Sequence, residues 1–380
     1  MKKILSVSLG LVMTAAVATS YAEEVKIGMI TTLSGGGSHL GVDVRDGFML
    51  AIEQSEREDV EVLIHDDARK PDVAKNLANE MIQREDVDIL TGIIWSNLAM
   101  AVVPSAVRQD VFYLSPNAGP SPLAGRLCHE NYFNVAWQND SLHEGMGAYM
   151  QKEGIRKPVI LAPNYPAGTD ALTGFKRYYT GELANEVYTQ LGQTDYAAEI
   201  AAIRASDAES VYFFLPGGMG IAFMKQYQSA GLTLPVYGPA FSFDEVILGA
   251  VGNAALGVKN TSQWARDLDN PTNKAFVESF TKEYGRVPTL YASQGFDTAN
   301  LILSALEKAH PDDKETFRRA LKAADFNSTR GDFRFGRNNH PIHDIYVREV
   351  VAGEDGKPTN KLIGVAIEDL QDVYADQCKL

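Results

Sequence analysis

Residues 25–48 read VKIGMITTLSGGGSHLGVDVRDGF, and this stretch decides the fold. VKIGMITT (25–32) is a short apolar run rich in β-branched residues, as a buried strand requires. Beyond the glycines, Val44, Phe48 and Ile52 recur every fourth residue, which is one face of a helix. Strand, glycine turn and helix then repeat. VEVLIHDD (60–67) is a second strand, and Pro71 opens a helix lined by Val73, Leu77 and Met81. VDILTGIIW (87–95) is a third strand, Ser96 is placed to cap a helix from Asn97, and VFYLSPNA (111–118) is a fourth strand. Alternation of this kind predicts parallel βαβ units in a doubly wound sheet. It lapses over RLCHENYFNVAWQND (126–140) and then resumes. Strands are expected at 158–164, 186–190, 210–217, 236–241 and 257–264, with helices at 168–181, 195–207 and 219–231. Segment 268–325 reads as mostly helical, with Phe276, Phe280 and Tyr284 four apart, and a strand pair closes the chain at 344–351 and 361–369. The prediction is an α/β protein of two similar lobes.

The 380 residues suit two domains, and 45% hydrophobic with 22% charged residues is ordinary for a packed soluble protein. A formal net charge of −14 argues against nucleic acid and anionic membrane surfaces as partners. MKKILSVSLGLVMTAAVATSYAEE begins with two lysines before an apolar run that ends in small residues. It reads as a secretory signal peptide, residues 1–22, cleaved after Ala22. The run is too short to serve as a comfortable membrane anchor, and Glu23 rather than a cysteine would start the mature chain. The expected location is the periplasm, without membrane insertion. The two cysteines, Cys128 and Cys378, would meet an oxidising compartment there, and a disulfide between them is expected.

The glycine turn lacks the third glycine of a dinucleotide fingerprint, because Leu40 stands there, and no Gly-Lys-Ser/Thr follows. It is either a plain tight turn or a loop that seats an anionic group on helix N–H groups, with Ser34 and His39 beside it. Ligands of open α/β sheets bind beyond the carboxyl ends of the strands. In the first half those ends offer LSGGGSH, IIWSN and LSPNAG, hence Ser34, Trp95, Ser96, Asn97 and Asn117. In the second half they offer APNYPAGTD, FFLPGGMG and GPAFSFDE, which are mostly apolar or aromatic, with Tyr165, Gly217 and Phe241 at strand ends. Trp264 also falls at a strand end. No nucleophile–base pair is evident, so an enzyme is not expected. HPIH (340–343) is broken by Pro341 as a metal pair, and Asp66-Asp67 reads as a capping or solvated pair. No metal and no cofactor are expected.

VKIGMITTLSG, D66-D-A with Pro71, SPNAG, Y237-G-P and Y291-A-S-Q-G-F-D together resemble the leucine/isoleucine/valine-type periplasmic binding proteins, the soluble receptors of ABC importers. The resemblance spans the mature chain. It implies two Rossmann-like lobes joined by three crossovers, with a small solute trapped between them, a permease and ATPase as partners, and a monomer. It places the lobes at 23–137 plus 264–338 and at 138–263 plus 339–380. The crossovers would lie near 136–140, with Trp137, and at 258–264 and 335–345. In the amino-acid binders, a Ser after the third strand and the main chain after the fourth hold the ligand carboxylate. Those positions match Ser96 and the Asn117-Ala118-Gly119 turn. The acid that meets the ligand ammonium follows Gly-Pro in the second lobe, and here that position is Ala240. A buried ammonium without a carboxylate costs several kcal/mol. The expected solute is therefore a small carboxylate with an apolar or aromatic body, and WSNLA, SPNAGPS, NYPAGTDALTGFK and FFLPGGMG resemble the branch of the family associated with aromatic acids. A branched-chain amino acid receptor, with Asp170 or Asp244 supplying the acid, and a ligand sensor for a signalling partner are the alternatives.

Overall fold

The structure is a computed structural model that describes residues 24–380, so the expected cleavage point after Ala22 lies outside the described residues. The opening stretch forms β1 (Val25–Thr31) and α1 (Ser38–Gln54). Then come β2 (Val60–Asp66), α2 (Pro71–Glu80), β3 (Ile89–Thr91), α3 (Ser96–Arg108), β4 (Phe112–Ser115), the short α4 (Ser121–Ala124) and β5 (Tyr132–Asn134). These strands make one parallel sheet in the order β2-β1-β3-β4-β5. β5 lies inside the stretch without a clear period. It is three residues long, too short to show alternation, and is buried throughout.

The second sheet begins after α5 (Ser141–Lys152), with β6 (Pro158–Pro163), α6 (Pro166–Tyr178), β7 (Asn185–Thr189), α7 (Ala197–Ala205), β8 (Ser210–Phe213), α8 (Gly218–Ser229), β9 (Val236–Pro239), α9 (Glu245–Val251) and β10 (Lys259–Ser262). After α10 (Pro271–Tyr284), α11 (Leu290–Leu306) and α12 (Lys314–Ala323) the chain adds β11 (Arg334–Phe335), β12 (Pro341–Ala352) and β13 (Pro358–Leu370). The sheet runs β11-β12-β10-β9-β8-β6-β7, parallel from β10 to β7, with β13 pairing antiparallel to β12. The architecture is α/β with two predominantly parallel sheets, as the periodicity predicted.

The three late helices return to the first sheet. α11 lies so close along α1 that a Cβ on Gly47 would come 1.9 Å from the Ala292 carbonyl oxygen, and one on Gly295 would come 2.0 Å from that of Val44. Arg286 seals the end of this pair through Asp43 at 2.6 Å and Asp46 at 2.5 Å. The chain therefore passes between the sheets three times, at 135–140, 263–270 and 324–340. Arg330, in the third passage, donates to the carbonyls of Val135 and Ala136 in the first, at 2.5 and 2.9 Å, and pairs with Asp297 of α11. The Cys128–Cys378 disulfide joins the segment after α4 to the chain end after β13.

Candidate functional site

The carboxyl ends of both sets of parallel strands face a narrow cleft lined by residues of both sheets. The first-sheet side contributes Leu40, Ile94, Trp95, Ser96 and Asn117, and α11 adds Tyr291. The other side contributes His143, Tyr165, Ala167, Phe214, Pro216 and Phe241, with Trp137 and Asn139 at the floor, in the first passage.

Trp95 is fixed by a relay that starts at Asp67. The buried Asp67 carboxylate accepts from Thr32 Oγ1 at 2.7 Å, and Thr32 accepts from Trp95 Nε1 at 3.0 Å. Arg69 covers the outer indole face at 4.3 Å. Asp66 accepts the N–H groups of Leu33 and Ala68, so the acid pair organises the turn, and Asp67 is not solvated as expected.

Ser96 is the first residue of α3 and not its cap; Trp95 takes the cap position. Its Oγ accepts from Asn139 Nδ2 at 3.1 Å, which leaves the Ser96 hydroxyl hydrogen free. Leu98 and Ala99 both donate to the Trp95 carbonyl, so the N–H groups of Ser96 and Asn97 have no acceptor among the described residues. This is the positive end of a 13-residue helix, aimed at the cleft. The expected donors after the fourth strand are engaged elsewhere: Ala118 N–H bonds to Ile93 O at 3.4 Å and Gly119 N–H to Asn139 Oδ1 at 3.1 Å. Donor capacity thus sits at the start of α3 and not at residues 118–119.

The opposite wall is a continuous run of rings. Phe241 meets Trp137 at 4.4 Å, Phe214 at 5.6 Å and His143 at 6.1 Å between centroids. Tyr165 lies near-parallel to Phe214 at 6.4 Å and reaches Trp95 across the cleft. The hydroxyls of Tyr165 and Tyr291 have no hydrogen-bond partner among the described residues, and burial raises both phenols well above the usual range, keeping them protonated. Burial also lowers His143 to about 3, so that ring is neutral.

Of the residues expected at a site, Trp95, Ser96, Asn117, Tyr165 and Phe241 line the cleft. Asn97 is not among the lining residues; its backbone N–H follows that of Ser96 in the first turn of α3. Ser34 is exposed on the outer turn. His39 and Gly217 form the rim, where the glycine loops of the two sheets abut: a Cβ on Gly217 would come 3.5 Å from the His39 ring and 3.6 Å from Gly37 Cα. Gly37 itself has φ 107°, and a Cβ there would strike the Trp95 ring at 2.9 Å, so this glycine is required by packing. Trp264 belongs to the core. It is 0% exposed and donates to Asn273 at 2.7 Å, because its strand ends on the α10 side. Sequence reasoning did not select Asn139, His143, Phe214 or Tyr291 as site residues. Asn139 lies in the stretch without a period and His143 follows it, and Tyr291 rides on a helix from the other end of the chain.

Among the described residues no carboxylate lines the cleft. Asp170 points instead at the first sheet's α4, accepting from Ser121 N and Oγ at 3.0 and 2.7 Å and from Asn139 at 2.9 Å. Asp244 caps α9 through Ile247 N–H and faces His39 at 3.9 Å. Among the described residues no cluster of His, Cys, Asp and Glu could hold a metal, and His340 and His343 are buried in other contacts.

A sequence model of the periplasmic binding protein family matches residues 24–357. The chain belongs to this family of periplasmic binding proteins. It is 29% identical over 380 residues to "Leu/Ile/Val-binding protein homolog 6" of Brucella melitensis, with 96% of each chain covered. The solute-binding protein of an ABC transporter from R. palustris, solved with benzoate, is 30% identical with a TM-score of 0.89, covering 94% of this chain and all of that one. A solute-binding protein from Rhodopseudomonas palustris BisB5, solved with 3,4-dihydroxybenzoic acid, is 27% identical with a TM-score of 0.84, covering 92% and 99%. These relatives are binding proteins and not enzymes, and so is this periplasmic binding protein.

Proposed function

We propose that the protein traps a small carboxylate with an aromatic body and delivers it to an ABC permease, after export with cleavage behind Ala22. The observation that carries this reading is the asymmetry of the cleft: free N–H and O–H donors at Ser96 and Asn97 on one wall, rings on the other, and no acid among the lining residues. The carboxylate docks on Ser96 Oγ–H and the two N–H groups at the positive end of α3, which supply charge-assisted hydrogen bonds. Its ring then lies between Trp95, Tyr165, Phe214 and Phe241. An amino acid would bring an ammonium that no lining carboxylate meets, at a cost of several kcal/mol.

Closure follows from contacts that exist only when the lobes meet. Asn139 donates to both Ser96 and Asp170, and Asp170 holds Ser121, so the residue that orients the carboxylate seat also latches α6 to the first lobe. The proposed lobes are 23–137 plus 264–338 and 138–263 plus 339–380, moving about the three passages, of which Arg330 clasps the first and third. Calorimetry on the purified protein with benzoate and with leucine tests the reading. Micromolar or tighter benzoate binding with weak or absent leucine binding is expected, and the reverse order would sink it.

A further inference from the structure

We propose that His143 is the specificity-determining residue of the cleft: its Nε2–H holds an oxygen substituent on the ligand ring, so the protein prefers hydroxylated aromatic carboxylates to the unsubstituted acid. This rests on the aromatic-carboxylate reading above. His143 stands in the first turn of α5, lines the cleft and is 1% exposed. Its Nδ1 is hydrogen-bonded to the hydroxyl of Tyr212, a side chain that is fully buried and has no other polar partner among the described residues. A buried hydroxyl must donate, since an orphaned donor costs about 1–3 kcal/mol. Tyr212 therefore gives its hydrogen to Nδ1, and the neutral ring carries its own hydrogen on Nε2.

That N–H has no acceptor among the described residues. It belongs to the aromatic wall, with the imidazole 5.0 Å from the Phe214 ring and 6.1 Å from that of Phe241. The carboxylate seat, by contrast, is across the cleft at Ser96 and Asn97. A ring anchored there turns its far edge toward the second lobe and meets Nε2–H. A neutral N–H suits an uncharged oxygen, and burial keeps the imidazole neutral at any physiological pH. A ring hydroxyl that accepts from Nε2–H also needs an acceptor for its own hydrogen, and the unpartnered hydroxyls of Tyr165 and Tyr291 are available on the same cleft. Unsubstituted benzoate would leave the N–H unmet.

The test is calorimetry on the full mature chain with benzoate, 3-hydroxybenzoate and 4-hydroxybenzoate, in the parent, in His143→Phe and in Tyr212→Phe. The parent should bind at least one hydroxybenzoate about 10-fold or more tighter than benzoate. His143→Phe should bring that ratio close to one. Tyr212→Phe should lower the ratio while sparing benzoate, because Nδ1 is released and the tautomer is no longer fixed. Nitrogen-15 NMR of the imidazole should show the hydrogen on Nε2 in the parent, which checks the inference even if a variant does not fold. A preference that survives His143→Phe, a parent with no preference, or a hydrogen on Nδ1 would overturn it. So would an equal loss of all three acids, which would place His143 on the carboxylate. Tight leucine binding without any binding of the aromatic acids would instead defeat the underlying reading, a distinguishable result.

Discussion

The first-lobe wall of the cleft is made of strand ends and the start of α3, and the second-lobe wall is made of ring faces. On the first, each polar group is fixed by another: Asn139 holds Ser96, Gln294 accepts from Asn117, and Thr32 holds Trp95. What remains free there is a small set of donors whose direction is set by the backbone. On the second, Phe214, Phe241 and Tyr165 are held by packing alone, and only the His143–Tyr212 pair has a polar constraint. Hydrogen-bond direction tolerates little displacement, whereas ring packing tolerates swaps of similar volume. The first wall should therefore fix which headgroup binds, and the second should fix which body is accepted.

The largest expected effect touches neither wall. The disulfide closes a loop with a sequence separation of 250, and removing it should lower unfolding stability by about 5 kcal/mol in the chain-entropy account. Urea denaturation of the parent and of a Cys128→Ser, Cys378→Ser variant measures this. Benzoate affinity under native conditions should stay within about 3-fold, because Cys128 and Cys378 lie away from both walls. An affinity that falls in step with stability would mean that the tie shapes the cleft. Next comes Phe241→Ala, which removes the ring touching Trp137, Phe214, His143 and Tyr291. A loss of about 3–5 kcal/mol in stability is expected. Aromatic acids should bind about 100-fold more weakly, roughly 3 kcal/mol by calorimetry, since the body loses its central contact. An aromatic-acid affinity unchanged within about 3-fold would show that Phe241 is core rather than wall.

Ser96→Ala separates the walls. It deletes the hydroxyl donor but keeps the backbone N–H groups and every ring. A charge-assisted hydrogen bond contributes about 1.5–3 kcal/mol, so all carboxylates should lose about 10- to 100-fold, irrespective of ring substituents. If the loss depended on the substituent, headgroup and body would not be read by separate walls.

The same contrast explains what the sequence disclosed. The parallel strands were legible because each is a β-branched run followed by a helical period, and Ser96, Asn117, Tyr165 and Phe241 are legible because they end such runs. β5, Asn139 and His143 were not, since 126–140 changes direction every few residues and its side chains serve turns rather than a face. Asn134, for example, accepts from the N–H groups of Ala136 and Trp137. Trp264 misled because a strand end was taken to imply the cleft, whereas β10 ends against α10, where Asn273 receives the indole. Main-chain donors were expected at 118–119 beside Ser96, and only the fold reveals that Ile93 and Asn139 already occupy those N–H groups.

The smallest effect concerns the acids behind the second wall. One turn from the cleft, Asp140 and Glu144 share Arg177, and Tyr374 donates to Asp140. Burial raises Glu144 to about 7 and Asp140 to about 6, with Arg177 opposing both shifts. Between the unfolded and folded values the native state holds the extra proton, so stability must fall as pH rises through that window. The buried histidines act in the opposite sense, because their lowered values make stability rise with pH up to their ordinary value near 6.5. Lys322, lowered to about 8 by burial, adds a rising contribution only above that pH. Above pH 6.5 and up to 8, Glu144 and the buried Asp244, whose carboxyl burial also pushes well up, make stability fall as pH rises. Glu144→Gln should flatten that slope in denaturation experiments. Benzoate affinity should stay constant across the same interval, because the cleft-lining His143, Tyr165 and Tyr291 keep one protonation state throughout it. An affinity that follows Glu144 would show that the acids behind the wall reach the ligand, and the neutral wall argued for here would then be untenable.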